Sequence, residues 1–176
     1  MQKFLIKILL SFILTFNNAN ANNNAFDFNF EADNGKTINL ADYKGKLILV
    51  INTPSLCGFN RDFLQLDQIA QDYQNRGLVI IAIPVEKQSH NFTTNMCVDS
   101  STVNYFITKS IALHKGKHLE DHPFFKWAKT ETPDDNNANK YLISPFGEII
   151  ASFNDTARVG SHEIIKKIEE NLPPKQ

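Results

Sequence analysis

The chain has 176 residues, 42% of them hydrophobic and 21% charged, with 18 Lys and Arg against 19 Asp and Glu for a formal net charge of −1. That composition fits one globular domain, and the balanced charge excludes an electrostatic nucleic-acid binder, so no nucleic-acid partner is expected. The first 21 residues stand apart from the rest. Lys3 and Lys7 precede an apolar run ending at Phe16, and Ala19-Asn20-Ala21 supplies small residues that a signal peptidase accepts. Residues 1–21 are therefore expected to be a signal peptide and residues 22–176 a single domain. The run from Ile8 to Phe16 falls short of the ~20 apolar residues that span hydrocarbon, and no Cys stands near the cleavage point to carry a lipid. No stable membrane anchor is expected, and the product should be free in an exported, oxidising space, periplasmic or secreted.

Asn17 to Asn24 is an Asn/Ala tract that reads as an unstructured junction, with the fold starting at Phe26. Phe26-Asp27-Phe28-Asn29-Phe30 alternates with period two, Asn34-Gly35 signals a hairpin turn, and Thr37 to Leu40 can return as the partner strand. Lys46 to Asn52 contains Leu-Ile-Leu-Val-Ile without interruption, the pattern of a strand covered on both faces. From Asn60 to Asn75 the residues Phe63, Leu66, Ala70 and Tyr73 fall at helical spacing, and Arg76-Gly77 ends that helix with a left-handed cap. Leu78 to Ile83 is a second buried strand, so strand, helix and strand form a βαβ unit. Thr102 to Leu113 fits a short helix or a strand equally well. Pro123 to Thr130 reads as a short helix with proline in its first turn. Tyr141 to Ser144 and Glu148 to Phe153, joined through Pro145-Phe146-Gly147, form an antiparallel hairpin, and Ser161 caps a closing helix carrying Ile164, Ile165, Ile168 and Leu172. The sum is an α/β domain with a central mixed sheet of four to five strands and helices on both faces.

Cys57 follows the first buried strand and precedes the helix, which places it at the carboxyl end of a central strand, where open α/β sheets hold their ligands. Unpaired N–H groups and the positive end of the helix dipole favour a thiolate there, and a lowered pKa makes a cysteine nucleophilic. Gly58 leaves room for a ligand to approach the backbone. The competing reading is a small buried hydrophobe.

Asn52-Thr53-Pro54-Ser55-Leu56-Cys57-Gly58-Phe59-Asn60 resembles the nucleophile motif of glutathione peroxidases. The flanks agree: Asp42-Tyr43-Lys44-Gly45-Lys46 before the strand, Arg76-Gly77-Leu78-Val79 leading into Ile83-Pro84, and His122-Pro123-Phe124-Phe125-Lys126-Trp127 farther on. The similarity runs from about Phe26 to Leu172. It implies a thioredoxin-like fold and a peroxidase in which the Cys57 thiolate reduces a hydroperoxide substrate and becomes a sulfenic acid. The family surrounds its nucleophile with a Gln, a Trp and an Asn. Asn137 matches that Asn, but Asn136 stands at the Trp position and Ala138 at the Phe that follows the Asn. The Gln register falls on Lys87, with Gln88 one residue late, and the loop beyond is shorter than in the family. Lys87 can favour a thiolate by charge, and each missing donor would slow turnover by roughly 10².

Cys97 stands near the place where cysteine-type members carry a resolving cysteine. The resemblance implies that it attacks the Cys57 sulfenic acid and that a thioredoxin-like protein or a small thiol reduces the disulfide. A permanent staple worth roughly 4 kcal/mol is the structural alternative. The short segment between Trp127 and Asn136 lacks the insertion that tetrameric members carry, which implies a monomer. His114, His118 and His122 recur every four residues, but Gly116 interrupts the stretch and Pro123 follows it, so these read as solvated loop histidines. No metal and no cofactor are expected, and Trp127 is expected to be a packing residue. Three rival functions remain: a thiol-disulfide oxidoreductase, disfavoured because the chain has no Cys-X-X-Cys, a non-catalytic thioredoxin-fold binding module, and, a distant third, a metal carrier using His114, His118 and His122.

Overall fold

The computed structural model describes residues 24–54, 61–87, 100–113, 119–135 and 137–174. Two short antiparallel strands come first, β1 (Asn29–Glu31) and β2 (Thr37–Asn39), with Phe30 opposite Ile38 and both side chains buried. The turn between them is closed by the Gly35 N–H on the Ala32 carbonyl, and Gly35 has φ +79°, which suits a residue without Cβ. The alternating run begins later than its pattern suggests, because Ala25–Asp27 forms a 3₁₀ turn. Asn24 Oδ1 accepts from the Phe26 N–H at 3.0 Å while Asp27 Oδ2 accepts from the Asn24 N–H at 3.0 Å, a reciprocal cap that outweighs alternation. Asn24 is thus part of the fold and not of a junction. Its amide also donates to the Phe146 carbonyl at 2.7 Å, tying the start of the domain to a distant hairpin.

The apolar run after Lys46 becomes β3 (Leu47–Pro54), and the helical spacing after it becomes α1 (Arg61–Tyr73). Gly77, at φ +94°, turns the chain into β4 (Leu78–Lys87), which pairs with β3 in parallel from Leu47 opposite Leu78 to Pro54 opposite Val85. The ambiguous stretch resolves into two short strands, β5 (Phe106–Ile107) and β6 (Ile111–Leu113), both parallel to β4. The first hairpin accounts for the break. Ala32 bridges Thr108, the Lys109 N–H donates to the Glu31 carbonyl at 2.8 Å, and the Lys109 ammonium pairs with the Glu31 carboxylate.

Helix α2 (Pro123–Glu131) has proline at its start, β7 (Ala138–Ile143) and β8 (Ile149–Asn154) form the expected hairpin, and Ser161 Oγ caps α3 (His162–Asn171). The central sheet has the order β5-β4-β3-β7-β8, with β6 also on β4, so the described residues supply six strands to it. One more strand is present than the upper expectation because residues 106–113 contribute two. Leu47, Leu49 and Ile51 of β3 pack with Phe63, Leu66 and Ile69 of α1 and with Ile164 and Ile168 of α3. Ile48 and Val50 face the opposite layer, with Phe124, Phe125 and Trp127 of α2 and the β1–β2 hairpin. Helices therefore cover both faces, and Trp127, buried against Phe28 and Phe124, is the packing residue its sequence context suggests.

His122 corrects one expectation. It is no solvated loop side chain: its Nδ1 accepts from the Phe124 N–H at 3.3 Å as the cap of α2, and its ring lies 5.0 Å from that of Phe30 at 9°. His114 and His118 lie outside the described residues. Burial holds the His122 pKa below its ordinary 6.5. The capping acceptor is the neutral ring, so its contribution is complete above about pH 6.5 and is lost as pH falls through the depressed folded value. The denaturation midpoint is expected to drop in that window, and His122→Asn, which keeps a capping acceptor, is expected to flatten the drop. An unchanged pH slope in the variant would contradict this assignment.

Candidate active site

The register of the sheet gathers three chain positions at one end. β3 and β4 run parallel, so their carboxyl ends emerge together, and β7 runs antiparallel to β3 with Lys140 opposite Ile51, which brings its first residue, Ala138, to the same end. Cys57 lies three residues beyond the end of β3, Lys87 closes β4, and Asn137 directly precedes β7. Asn137 is exposed in the turn entering β7, where the Ala138 N–H donates to the Asp135 carbonyl at 3.2 Å. Cys57, Gln88, Cys97 and Asn136 lie outside the described residues, as does the side chain of Lys87. The Lys87 backbone pairs with Leu113 of β6.

A cavity of about 130 Å³ opens under this end of the sheet. Asn52 and Thr53 of β3, Asn139 and Lys140 of β7, and Asp155 and Arg158 beyond β8 supply its polar lining, and Phe63 and Leu66 of α1 form an apolar wall. Lys140 is only 5% exposed. Its Nζ donates to Asn139 Oδ1 at 2.7 Å and to the Asn154 carbonyl at 2.9 Å, which fastens the start of β7 to the end of β8. Thr53 is 4% exposed, and its buried hydroxyl has no hydrogen-bond partner among the described residues. A larger polar concavity of about 630 Å³, with Gln65, Ser152 and Glu163 in its walls, shares Ala157 and Arg158 with the smaller one but takes no residue from β3 or β4. The smaller cavity is the one at the strand end that leads to Cys57.

Sequence reading passes over Lys140 and Thr53. A signal for Lys140 was present: with side chains alternating along β7, Lys140 shares a face with Leu142, whose place in the core turns the lysine inward as well. Burying an ammonium is costly unless it is hydrogen-bonded, and the bonds to Asn139 and Asn154 meet part of that need.

The family model of glutathione peroxidase matches residues 25–129, more than half of the chain. The chain belongs to the glutathione peroxidase family. It is accordingly a peroxidase, an oxidoreductase, on a thioredoxin-like α/β fold. The glutathione peroxidase of Lactococcus lactis subsp. cremoris is 29% identical over 143 residues, covering 74% of this chain and 88% of that protein. The crystal structure of Trgpx in apo form superposes with a TM-score of 0.63 at 25% identity, over 85% of this chain and 95% of that one. A putative thioredoxin from Neisseria meningitidis superposes at 0.55 with 16% identity, over 82% of this chain and 86% of that one, and shares the fold alone.

Proposed function

We infer that this glutathione peroxidase family member is an exported thiol peroxidase that reduces hydrogen peroxide or organic hydroperoxides with Cys57 as nucleophile. The supporting observation is the register that directs the Cys57-bearing end of β3, the Lys87 end of β4 and the Asn137 end of β7 to one place. The Cys57 thiolate attacks one peroxide oxygen and breaks the O–O bond, the departing alkoxide or hydroxide takes a proton, and the sulfur, oxidised by two electrons, is left as a sulfenic acid. Asn137, with Lys87 or Gln88, polarises the breaking bond. Cys97 then attacks the sulfenic sulfur, water leaves, and a disulfide forms. A thioredoxin-like protein or a small thiol supplies two electrons and restores both thiols. The same two cysteines joined permanently would make the bond a staple and leave no Cys57 thiolate to attack a peroxide.

Export rests on the leader, residues 1–21; among the described residues no helix is long and apolar enough to cross a membrane. The short segment before Asn136 supports a monomer.

The deciding experiment follows peroxide consumption by the purified chain with a thioredoxin system and, separately, with small thiols. Consumption with at least one reductant is expected, together with poor reduction of insulin disulfides. A protein that consumes no peroxide with any thiol is a binding module, and one that reduces insulin efficiently but ignores peroxide is a thiol-disulfide oxidoreductase.

A further inference from the structure

We propose that the outer edge of β8 is a docking strip for an extended, lysine- or arginine-bearing segment of a partner protein, which adds to the sheet as a further strand. The inference is independent of the reading of Cys57. In the sheet order β8 is terminal, with β7 on one side only. Among the described residues, the backbone of residues 149–153 exchanges no hydrogen bond with anything beyond β7. Such an edge carries a row of open N–H and C=O groups, and proteins ordinarily blunt it with a charge, a proline or a covering element. Ile149-Ile150-Ala151-Ser152-Phe153 contains neither charge nor proline.

The space beside this edge has room for a strand. The concavity of about 630 Å³ takes Gln65, Ser161 and Glu163 from the layer of α1 and α3, and Asp135 from the chain that follows α2, with Ser152 and Phe153 of β8 between them. Phe153 packs into the core under α1 and α3, whereas Ser152, opposite Tyr141, looks into the α2 layer and donates to Asp135 Oδ2 at 2.9 Å. The concavity therefore wraps across the sheet edge instead of lying over one face. A second concavity of about 270 Å³, walled by Glu131, Asp134 and Asp135 against Ile149 and Ile150, shares Asp135 and Ser152 with the first and continues it along β8.

Charge decides the occupant. Among the described residues the two concavities are lined by four carboxylates, those of Glu131, Asp134, Asp135 and Glu163, and by one cation, Arg158, which belongs to the larger concavity alone. Three of the four carboxylates stand on the α2 side, where every second side chain of an added strand would meet them, so basic residues suit those positions. The intervening side chains would meet Gln65 and Ser161, which suit small polar residues. Main-chain bonds then supply affinity, and the alternating charge supplies selection. A second copy of this chain fits poorly, because pairing β8 with itself brings two sets of these carboxylates to one interface and β8 has no basic residue to answer them.

The test uses the full chain and a fluorescent peptide of about eight residues that alternates threonine with lysine, long enough to span β8. Anisotropy reads binding, and amide hydrogen exchange reads its place. The peptide is expected to bind and to slow exchange at residues 149–153, and a peptide with glutamate for lysine is expected not to bind. Methylating the backbone nitrogen of every threonine, or of every lysine, removes the donors from one edge of the peptide at a time. One of these two peptides is expected to bind at least about tenfold more weakly at unchanged charge. Glu131→Lys combined with Asp134→Lys, both exposed positions, is expected to weaken the lysine peptide at least about tenfold. Equal binding of both methylated peptides, or binding without protection of β8, is surface attraction alone and overturns the inference. It is overturned as well by a glutamate peptide that binds equally, by an unmoved affinity in the double variant, and by a chain that ignores the peptide, whether or not its copies pair through β8.

Discussion

Cys57→Ser should abolish peroxide reduction, with a loss of at least about 10³-fold, because in the proposed mechanism it removes the nucleophile and not one of its helpers. A serine hydroxyl is protonated across the working pH range and is a far weaker nucleophile than a thiolate. The surrounding donors act only on a bond that a thiolate has begun to break. Alanine at Asn137 is expected to cost less, roughly 10² in turnover, since it removes one polarising amide and leaves the nucleophile in place. Peroxide consumption under a saturating reductant separates the two. Cys57→Ser protein that turns over within tenfold of wild type would place the chemistry elsewhere.

The largest stability effect is expected at Phe124→Ala, about 3–5 kcal/mol. Phe124 is fully buried, and its ring contacts those of Phe30 and Phe125 at 5.3 Å, Trp127 at 5.7 Å, and Phe28 and Tyr141 at 5.9 Å. It joins three elements that hold one face of the sheet: the first hairpin, α2 and β7. Truncation leaves a void among rigid aromatic rings that cannot easily close in. Denaturant titration should show a lower midpoint with an unchanged slope, and Phe124→Leu, which retains more of the volume, should fall between the two. A cost below about 1 kcal/mol would mean that this layer rearranges freely and is no scaffold for the site.

The central part of the fold is legible in the sequence because its signals are local and agree with one another. The apolar run at β3, the helical spacing of Phe63, Leu66 and Ala70, and the left-handed Gly77 each specify one outcome, and the parallel pairing of β3 with β4 follows. Where a distant partner decides, the sequence is silent. Nothing in residues 102–113 shows that Ala32 will bridge Thr108 and split the stretch into two strands. The alternation at Phe26 yields to the Asn24–Asp27 cap, a contest between side-chain hydrogen bonds and hydrophobic period that composition cannot settle. His122 looks like a loop histidine because its stacking partner, Phe30, lies far away in the chain.

The candidate site divides in the same way. The motif around Cys57 is contiguous and specific, and the positions of Lys87 and Asn137 follow from strand ends. Lys140 is obscured because a lysine at the start of a strand ordinarily reads as an exposed edge residue. Its phase with Leu142 hints that it turns inward, and the pairing of β7 with β3 and β8 shows it bound there by Asn139 and Asn154.

The account is tested most directly by adding one equivalent of hydrogen peroxide to the reduced protein and following both sulfurs by mass spectrometry with a sulfenate trap. It predicts a trapped sulfenic acid on Cys57 in the Cys97→Ser protein and a Cys57–Cys97 disulfide in the wild type, formed as the peroxide disappears. Two thiols that remain unmodified while the peroxide persists would contradict it.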